Sequence, residues 1–306
     1  MHANQSSFLG GMIGSALGDA IGELAFSAGS RESLERKIQR SGLLRYTDDT
    51  AMAIGIAESI CERGGLESRH LGDTFSRNFR REPWRGYASG PPGVFSMVER
   101  TRVSYREAAA GLFGGQGSLG NGAAMRVAPV GLFFHRSGDL YEQARAASEI
   151  THAHPVGVDG AAVLAAAVAE AADAHPREGM DAAGMCGMLI DFARTDEIRG
   201  KMEQVGKLVE DQTPPNKAAS VLGRGIAVQD SMPFAVFSFL RYPGSYRDCL
   251  LCAVLNRGDC DTLGAMACGI SGAYLGIDAV PAQWRDKLEN RGYIEELAVR
   301  LWERST

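Results

Sequence analysis

Apolar residues recur at three- and four-residue spacing in the runs Met52 to Cys61, Ala161 to Ala174, Ala182 to Ala193, Val221 to Val228, Cys249 to Leu255 and Ile294 to Trp302. Such spacing lines side chains along one face of a helix, so each run predicts a helix with a buried stripe. Alternating β-branched stretches, the mark of half-buried strands, are scarce. The pattern therefore predicts an all-α fold of many short to medium helices. Turns are expected at Gly90-Pro91-Pro92-Gly93, Thr213-Pro214-Pro215-Asn216 and Tyr242-Pro243-Gly244, where glycine and proline punctuate the pattern.

Within two of the expected helices the small residues are themselves periodic. Gly10, Gly14, Gly18 and Gly22 recur every four positions, and so do Gly264, Cys268, Gly272 and Gly276. A glycine costs about 1 kcal/mol in a helix interior relative to alanine. Two such stripes predict a compensating close approach of backbones, along central, tightly crossed helices. Asp19 and Glu23, inside the first stripe, argue against a lipid-exposed dimerisation face.

Composition adds limits. The 306 residues are 45% hydrophobic and 23% charged, a globular balance with enough apolar surface for a substantial core. No composition shift marks a boundary, and Asp211 to Lys217 reads as an interhelix turn, so one domain over residues 1–306 is expected. The net charge of −5 offers no electrostatic footprint for nucleic acid or for an anionic membrane, which leaves a compact substrate. No segment reaches the roughly 18 uninterrupted apolar residues of a membrane span, and the N-terminus lacks a basic signal-peptide start. Six cysteines, several inside helical runs, read as reduced buried thiols, Cys249 and Cys252 included, and a cytoplasmic location is expected.

The most chemical feature is a pair of acidic clusters, Thr47-Asp48-Asp49-Thr50 and Asp259-Cys260-Asp261-Thr262. The first precedes the helical run Ala51 to Cys61 and the second precedes a helix from Leu263 onward, so both are placed at helix N-termini, where the dipole favours negative charge. One Thr or Asp suffices for a cap. Two Asp beside Thr exceed that need, twice over. Four ionised carboxylates in one pocket carry about −4, which only cations relieve. Two divalent ions balance the charge, and an all-oxygen donor set suits Mg²⁺ or Mn²⁺ better than Zn²⁺.

Five motifs in order then carry a resemblance. Gly18-Asp19-Ala20-Ile21-Gly22, Tyr46-Thr47-Asp48-Asp49-Thr50-Ala51-Met52, Gly120-Asn121-Gly122-Ala123-Ala124-Met125-Arg126, Thr151-His152-Ala153-His154 and Gly258-Asp259-Cys260-Asp261-Thr262 resemble the ADP-ribosylglycohydrolase family from about Phe8 to Gly276. The resemblance implies a compact orthogonal multi-helix bundle with a central binuclear Mg²⁺ or Mn²⁺ cleft, removing ADP-ribose from modified proteins or small conjugates. By position, Thr47, Asp48, Asp49, Asp259, Asp261 and Thr262 are the implied metal ligands. The implied phosphate-binding segment is Gln116 to Asn121, with Gly117, Ser118, Gly120 and Asn121 as contacts. Phe113 is expected beside adenine and His152 at the distal ribose. Arg126 is expected to brace the fold through a partly buried ion pair.

Within the family the Gln116 to Val127 run and Thr151-His152-Ala153 look most like the branch that cleaves O-linked ADP-ribose, including serine-linked and polymeric forms. Leu119 stands where that branch can present an aromatic ring. Phe26 stands where the family usually places an acid, and the nearest acid is Glu23. The expected chemistry is hydrolysis at C1″ by a metal-activated water, with Asp49 or Asp261 taking its proton and Glu23 gating or hydrogen-bonding substrate. A monomer is expected. Three other readings stay open: an arginine-specific hydrolase, a two-metal nucleotide phosphohydrolase, and a non-catalytic ADP-ribose-binding protein.

Overall fold

The first helix, Gln5–Ala25, and the helix Cys260–Leu275 lie against each other along their whole lengths, and the rest of the chain is arranged around that seam. The structure, a computed structural model, describes residues 3–305. Among the described residues it contains 18 α-helices, three short 3₁₀ turns and two isolated β-bridges, with no strand. The fold is all-α.

The seam explains both glycine stripes. A methyl group added to Gly14 would lie 2.6 Å from the Cys268 carbonyl oxygen, and one on Gly10, Gly18 or Gly22 would overlap the backbone of Gly272, Gly264 or Cys260. The helices run antiparallel, backbone on backbone. Tyr246 donates its hydroxyl to the Gly14 carbonyl at 2.8 Å, satisfying a buried oxygen beside the crossing.

A second central helix, Pro155–Asp173, is 19 residues long, with a mean hydropathy of 1.4 over its most apolar window. By length and composition it is able to cross a membrane, and here 89% of that window is buried inside the fold. Its one fully buried acid, Asp159, accepts from the hydroxyls of Tyr141 and Thr195 and from the backbone N–H groups of Arg194 and Thr195. All six cysteines are buried and free.

Three expectations are corrected. Gly90-Pro91-Pro92-Gly93 is not a turn but the first turn of the helix Gly90–Thr101, where proline's missing N–H costs nothing because those donors have no helical partner. The run Val221 to Val228 is not a helix: one helix ends at Leu222, the next starts at Val228, and Gly223 between them has φ +94°. Among the described residues Arg126 makes no ion pair. Its guanidinium is fully buried, donates to Thr151 Oγ1 at 2.8 Å and the Ala147 carbonyl at 3.2 Å, and lies 4.8 Å over the Phe75 ring.

Candidate functional site

Both acidic clusters begin helices, and each cluster lies within its first turn. Thr47 is the N-cap of Asp48–Arg63, and Asp259 is the N-cap of Cys260–Leu275, three residues earlier than the sequence pattern placed that helix start. The two ends meet on one cavity of about 410 Å³. Asp48, Asp49, Asp259, Asp261 and Thr262 all line it.

A fifth carboxylate organises the first cluster from behind. Asp19, fully buried in the Gln5–Ala25 helix, accepts from the backbone N–H and the hydroxyl of both Thr47 and Thr50, at 2.5 to 3.1 Å. Thr47 Oγ1 also reaches Asp49 Oδ2 at 3.2 Å. Thr47 thus stands behind the cavity rather than on its wall. One residue earlier, the Tyr46 carbonyl accepts from buried Arg85, which also pairs with Glu289 and Glu82. The second cluster is held by the segment that the sequence read as helix. Asp259 N–H donates to the Arg224 carbonyl at 2.9 Å, and Gly258, at φ +93°, leaves no room for a side chain against Arg224.

The same segment fixes the glycine-rich stretch. Asn121 N–H donates to the Ile226 carbonyl and Val228 N–H to the Leu119 carbonyl. Asn121 Nδ2 then donates to Asp259 Oδ2 at 2.7 Å, so this residue, read from the sequence as a phosphate contact, also orients an acid. Ser118, Gly120, Asn121, His152 and Phe113 line the cavity with the acids. Gly117 packs behind them against Ala153 and His154. Phe113 is 66% exposed and has φ +53°, a left-handed backbone that an aromatic residue adopts only under constraint. Glu23 is exposed and off the cavity wall, yet close enough for its charge to be felt at Asp261.

Crowding shows in the acidities. Burial pushes Asp48 up to about 7, helped by the charges of Asp19 and Asp259. Burial and Asp259 push Asp261 up to about 8, and Asp49 is raised well above the usual carboxylate range by burial and by Asp19. Burial takes Asp19 up to about 6 against the opposing effect of its hydrogen bonds. Arg126 is the one Lys or Arg on the wall, and burial lowers it to about 9. Burial and the nearby Arg126 charge lower His152 to about 3, so its ring is neutral at physiological pH and bonds Thr151 Oγ1 through Nδ1 at 2.8 Å.

The donor set fits hard divalent cations. Asp49 Oδ1 is buried with no hydrogen-bond partner, an uncompensated acceptor aimed at no protein donor. The same wall presents the carboxylates of Asp48, Asp259 and Asp261 and the Thr262 hydroxyl, all oxygen donors. Among the described residues no three His, Cys, Asp or Glu groups are drawn together tightly enough to enclose an ion; the acids face one cavity without closing on a point.

The sequence reading did not assign Asp19 a role, although an acid on the buried stripe of an apolar helix is the signal for it. It also missed the wall formed by Gly86, Ala88, Ser89 and Pro91, and Ile226, which lines the cavity at 75% exposure.

Comparison with known proteins agrees along the whole chain. ADP-ribosylhydrolase ARH3 of Danio rerio is 30% identical over an alignment of 338 positions, covering 97% of this chain and 90% of that protein. ADP-ribosylhydrolase ARH3 of Xenopus tropicalis is 31% identical over 335 positions, covering 96% and 93%. A solved structure described as an ADP-ribosylglycohydrolase-related protein complex matches with a TM-score of 0.75 and 25% identity, over 99% of each chain. The model of the ADP-ribosylglycohydrolase family matches residues 1–306, and the chain belongs to that family.

Proposed function

We propose that this chain hydrolyses the glycosidic bond at C1″ of ADP-ribose attached through oxygen, with serine-linked ADP-ribose on proteins as its substrate. The family is one of metal-dependent hydrolases. The observation that carries the reading is the convergence of two acidic helix ends on a cavity that also presents Phe113, the glycine-rich stretch and His152.

Asp48, Asp49, Asp259, Asp261 and Thr262 would hold two divalent cations, Mg²⁺ or Mn²⁺, with Thr47 keeping Asp49 in aim. Bound there, the ions supply Lewis-acid polarisation of the ribose hydroxyls and lower the pKa of water. The protein's own groups do the rest. Asp49 or Asp261 accepts the proton of the attacking water. Backbone amides of Gln116 to Asn121 receive the pyrophosphate, since Gly120 brings main chain to the cavity wall and Gly117, behind it, lets the loop pack against Ala153 and His154. Phe113 stacks on adenine, and neutral His152 lines the ribose end without adding charge. Glu23, off the wall but near enough to act on Asp261, hydrogen-bonds or gates the substrate.

The test is incubation of a serine-linked ADP-ribosyl peptide and a nucleotide diester with Mg²⁺, with and without EDTA. Release of free ADP-ribose without AMP, lost in EDTA and in Asp259→Ala and Asp261→Ala, supports the reading. AMP as the product, or full activity in both variants, overturns it.

A further inference from the structure

A second furrow, of about 540 Å³, lies between the helices Ser68–Arg81 and Gly90–Thr101. Five arginines line it, Arg69, Arg77, Arg80, Arg81 and Arg102. Three carboxylates, Asp73 and Glu99 on the wall and Glu58 beside it, oppose them, leaving a local excess of two positive charges in a chain of net charge −5. Overall charge therefore averages over a locally basic surface.

Asp73 is taken up by Arg69 at 3.1 Å and Glu99 by Arg80 at 2.9 Å, while Arg77 leans on Glu58 at 3.6 Å. Among the described residues Arg81 and Arg102 have no carboxylate within ion-pair reach. The floor is apolar, made of Phe95, Val98 and the Tyr105 ring. Every free cation here is a guanidinium and no lysine lines the furrow, a choice that matches the forked geometry of phosphate oxygens.

The furrow is joined to the acidic cavity by one helix. Pro91 lines the cavity, while Phe95 and Val98 on the same helical face line the furrow, and Arg102, just past the end of the helix, joins them. Pro91 to Val98 spans about 10 Å along the axis. We propose that the furrow is a second phosphate-binding site, which holds the pyrophosphate of a neighbouring ADP-ribose unit when the substrate is a polymer. This inference rests on the proposed activity toward ADP-ribose and adds a substrate class held at two points.

The test uses the full chain and two single variants, Arg81→Gln and Arg102→Asn. Both side chains are exposed, and Asn tolerates the φ of +63° at position 102, so folding is checked simply by circular dichroism and melting. Fluorescence anisotropy with labelled ADP-ribose polymer, labelled ADP-ribose and a glutamate-rich peptide reads binding directly. The expected result is about ten-fold weaker polymer binding in each variant, with monomer binding unchanged. In kinetics, KM for polymer rises by about the same factor, while kcat and turnover of a single serine-linked unit hold. Equal polymer binding by both variants, or tighter binding of the acidic peptide than of polymer by the unaltered chain, overturns the proposal. A chain that cleaves serine-linked ADP-ribose but ignores both substitutions loses the furrow and keeps the activity. A chain that binds polymer through these arginines but cleaves no ADP-ribose linkage keeps the furrow and loses the activity.

Discussion

Replacing Asp19 separates two effects that a carboxylate usually mixes, its hydrogen bonds and its charge. Asp19→Ala strands the N–H group of Thr50, which is buried, and that of Thr47, which is half-buried. Each buried unsatisfied donor costs about 1–3 kcal/mol. The hydroxyls suffer less because they rotate, and Thr47 Oγ1 already has Asp49 Oδ2 as a second acceptor. The buried Thr50 N–H therefore sets the scale, a loss of about 1–3 kcal/mol, to which the half-buried Thr47 N–H adds a smaller share and from which relief of like-charge repulsion subtracts. Asp19→Asn behaves differently. An amide oxygen at the Oδ2 position keeps the N–H groups of Thr47 and Thr50 and the Thr50 hydroxyl, and the amide nitrogen at the Oδ1 position donates to a Thr47 hydroxyl turned to accept. The network survives while one negative charge leaves the neighbourhood of Asp48 and Asp49, whose acidities it raises.

In EDTA at pH 7, urea denaturation should rank Asn at or above the unaltered protein, with Ala far below. With Mg²⁺ the Asn variant should gain less stability than the unaltered chain, because it offers the ions a less negative site. Asn as damaging as Ala, or Ala as stable as the original, refutes the reasoning. Asp159→Asn is the control. Asp159 also accepts from two N–H groups and two hydroxyls, but one N–H falls on each of its oxygens, so the amide strands one of them and lowers stability; because Asp159 lies off the acidic wall, the response to Mg²⁺ should still be unaltered.

The raised acidities also set a pH trend: Asp19, Asp48 and Asp261 titrate near 6, 7 and 8 when folded and near 3.8 when unfolded, so the folded state holds the extra protons between. Metal-free stability should fall as pH rises from about 4 through about 8, and saturating Mg²⁺ should flatten the slope; a urea midpoint that climbs with pH in EDTA contradicts this. Gly18→Ala forces a methyl group into the Gly264 backbone, which cannot rotate away, so the loss should be about 3 kcal/mol or more by thermal melting. Phe113→Ala removes an exposed ring and should leave stability unchanged while raising KM for ADP-ribosyl peptide about ten-fold at constant kcat. His152 should show no imidazole titration between pH 5 and 8 by NMR, since burial keeps it neutral.

The features legible in the sequence were those with local physical causes. The four-residue glycine period predicts backbone contact, and that contact is present at Gly10, Gly14, Gly18 and Gly22. Paired acids before a helical run announced helix N-termini, and both are there. What escaped were features defined by partners distant in sequence. The segment 223–227 has apolar neighbours at helical spacing, yet its carbonyls are taken by Asp259 and Asn121, which no local pattern records. Arg126 gave a reason to expect an ion pair, whereas its guanidinium bonds neutral oxygens and lies over the Phe75 ring, and Asp48 acts on it only through its charge. Gly90-Pro91-Pro92-Gly93 carries turn residues that serve equally as a helix start, and only the following turns decide between them.

The antiparallel glycine seam has a consequence for how this molecule can diverge. Main chain touching main chain acts as a ruler: Gly18 opposite Gly264 and Gly22 opposite Cys260 fix the height of Asp19 relative to Asp261, whatever side chains cover the outside. A descendant that preserves those small positions can rewrite most of its surface and still inherit the same arrangement of acids. One that enlarges a single position must rebuild the spacing of both helices at once.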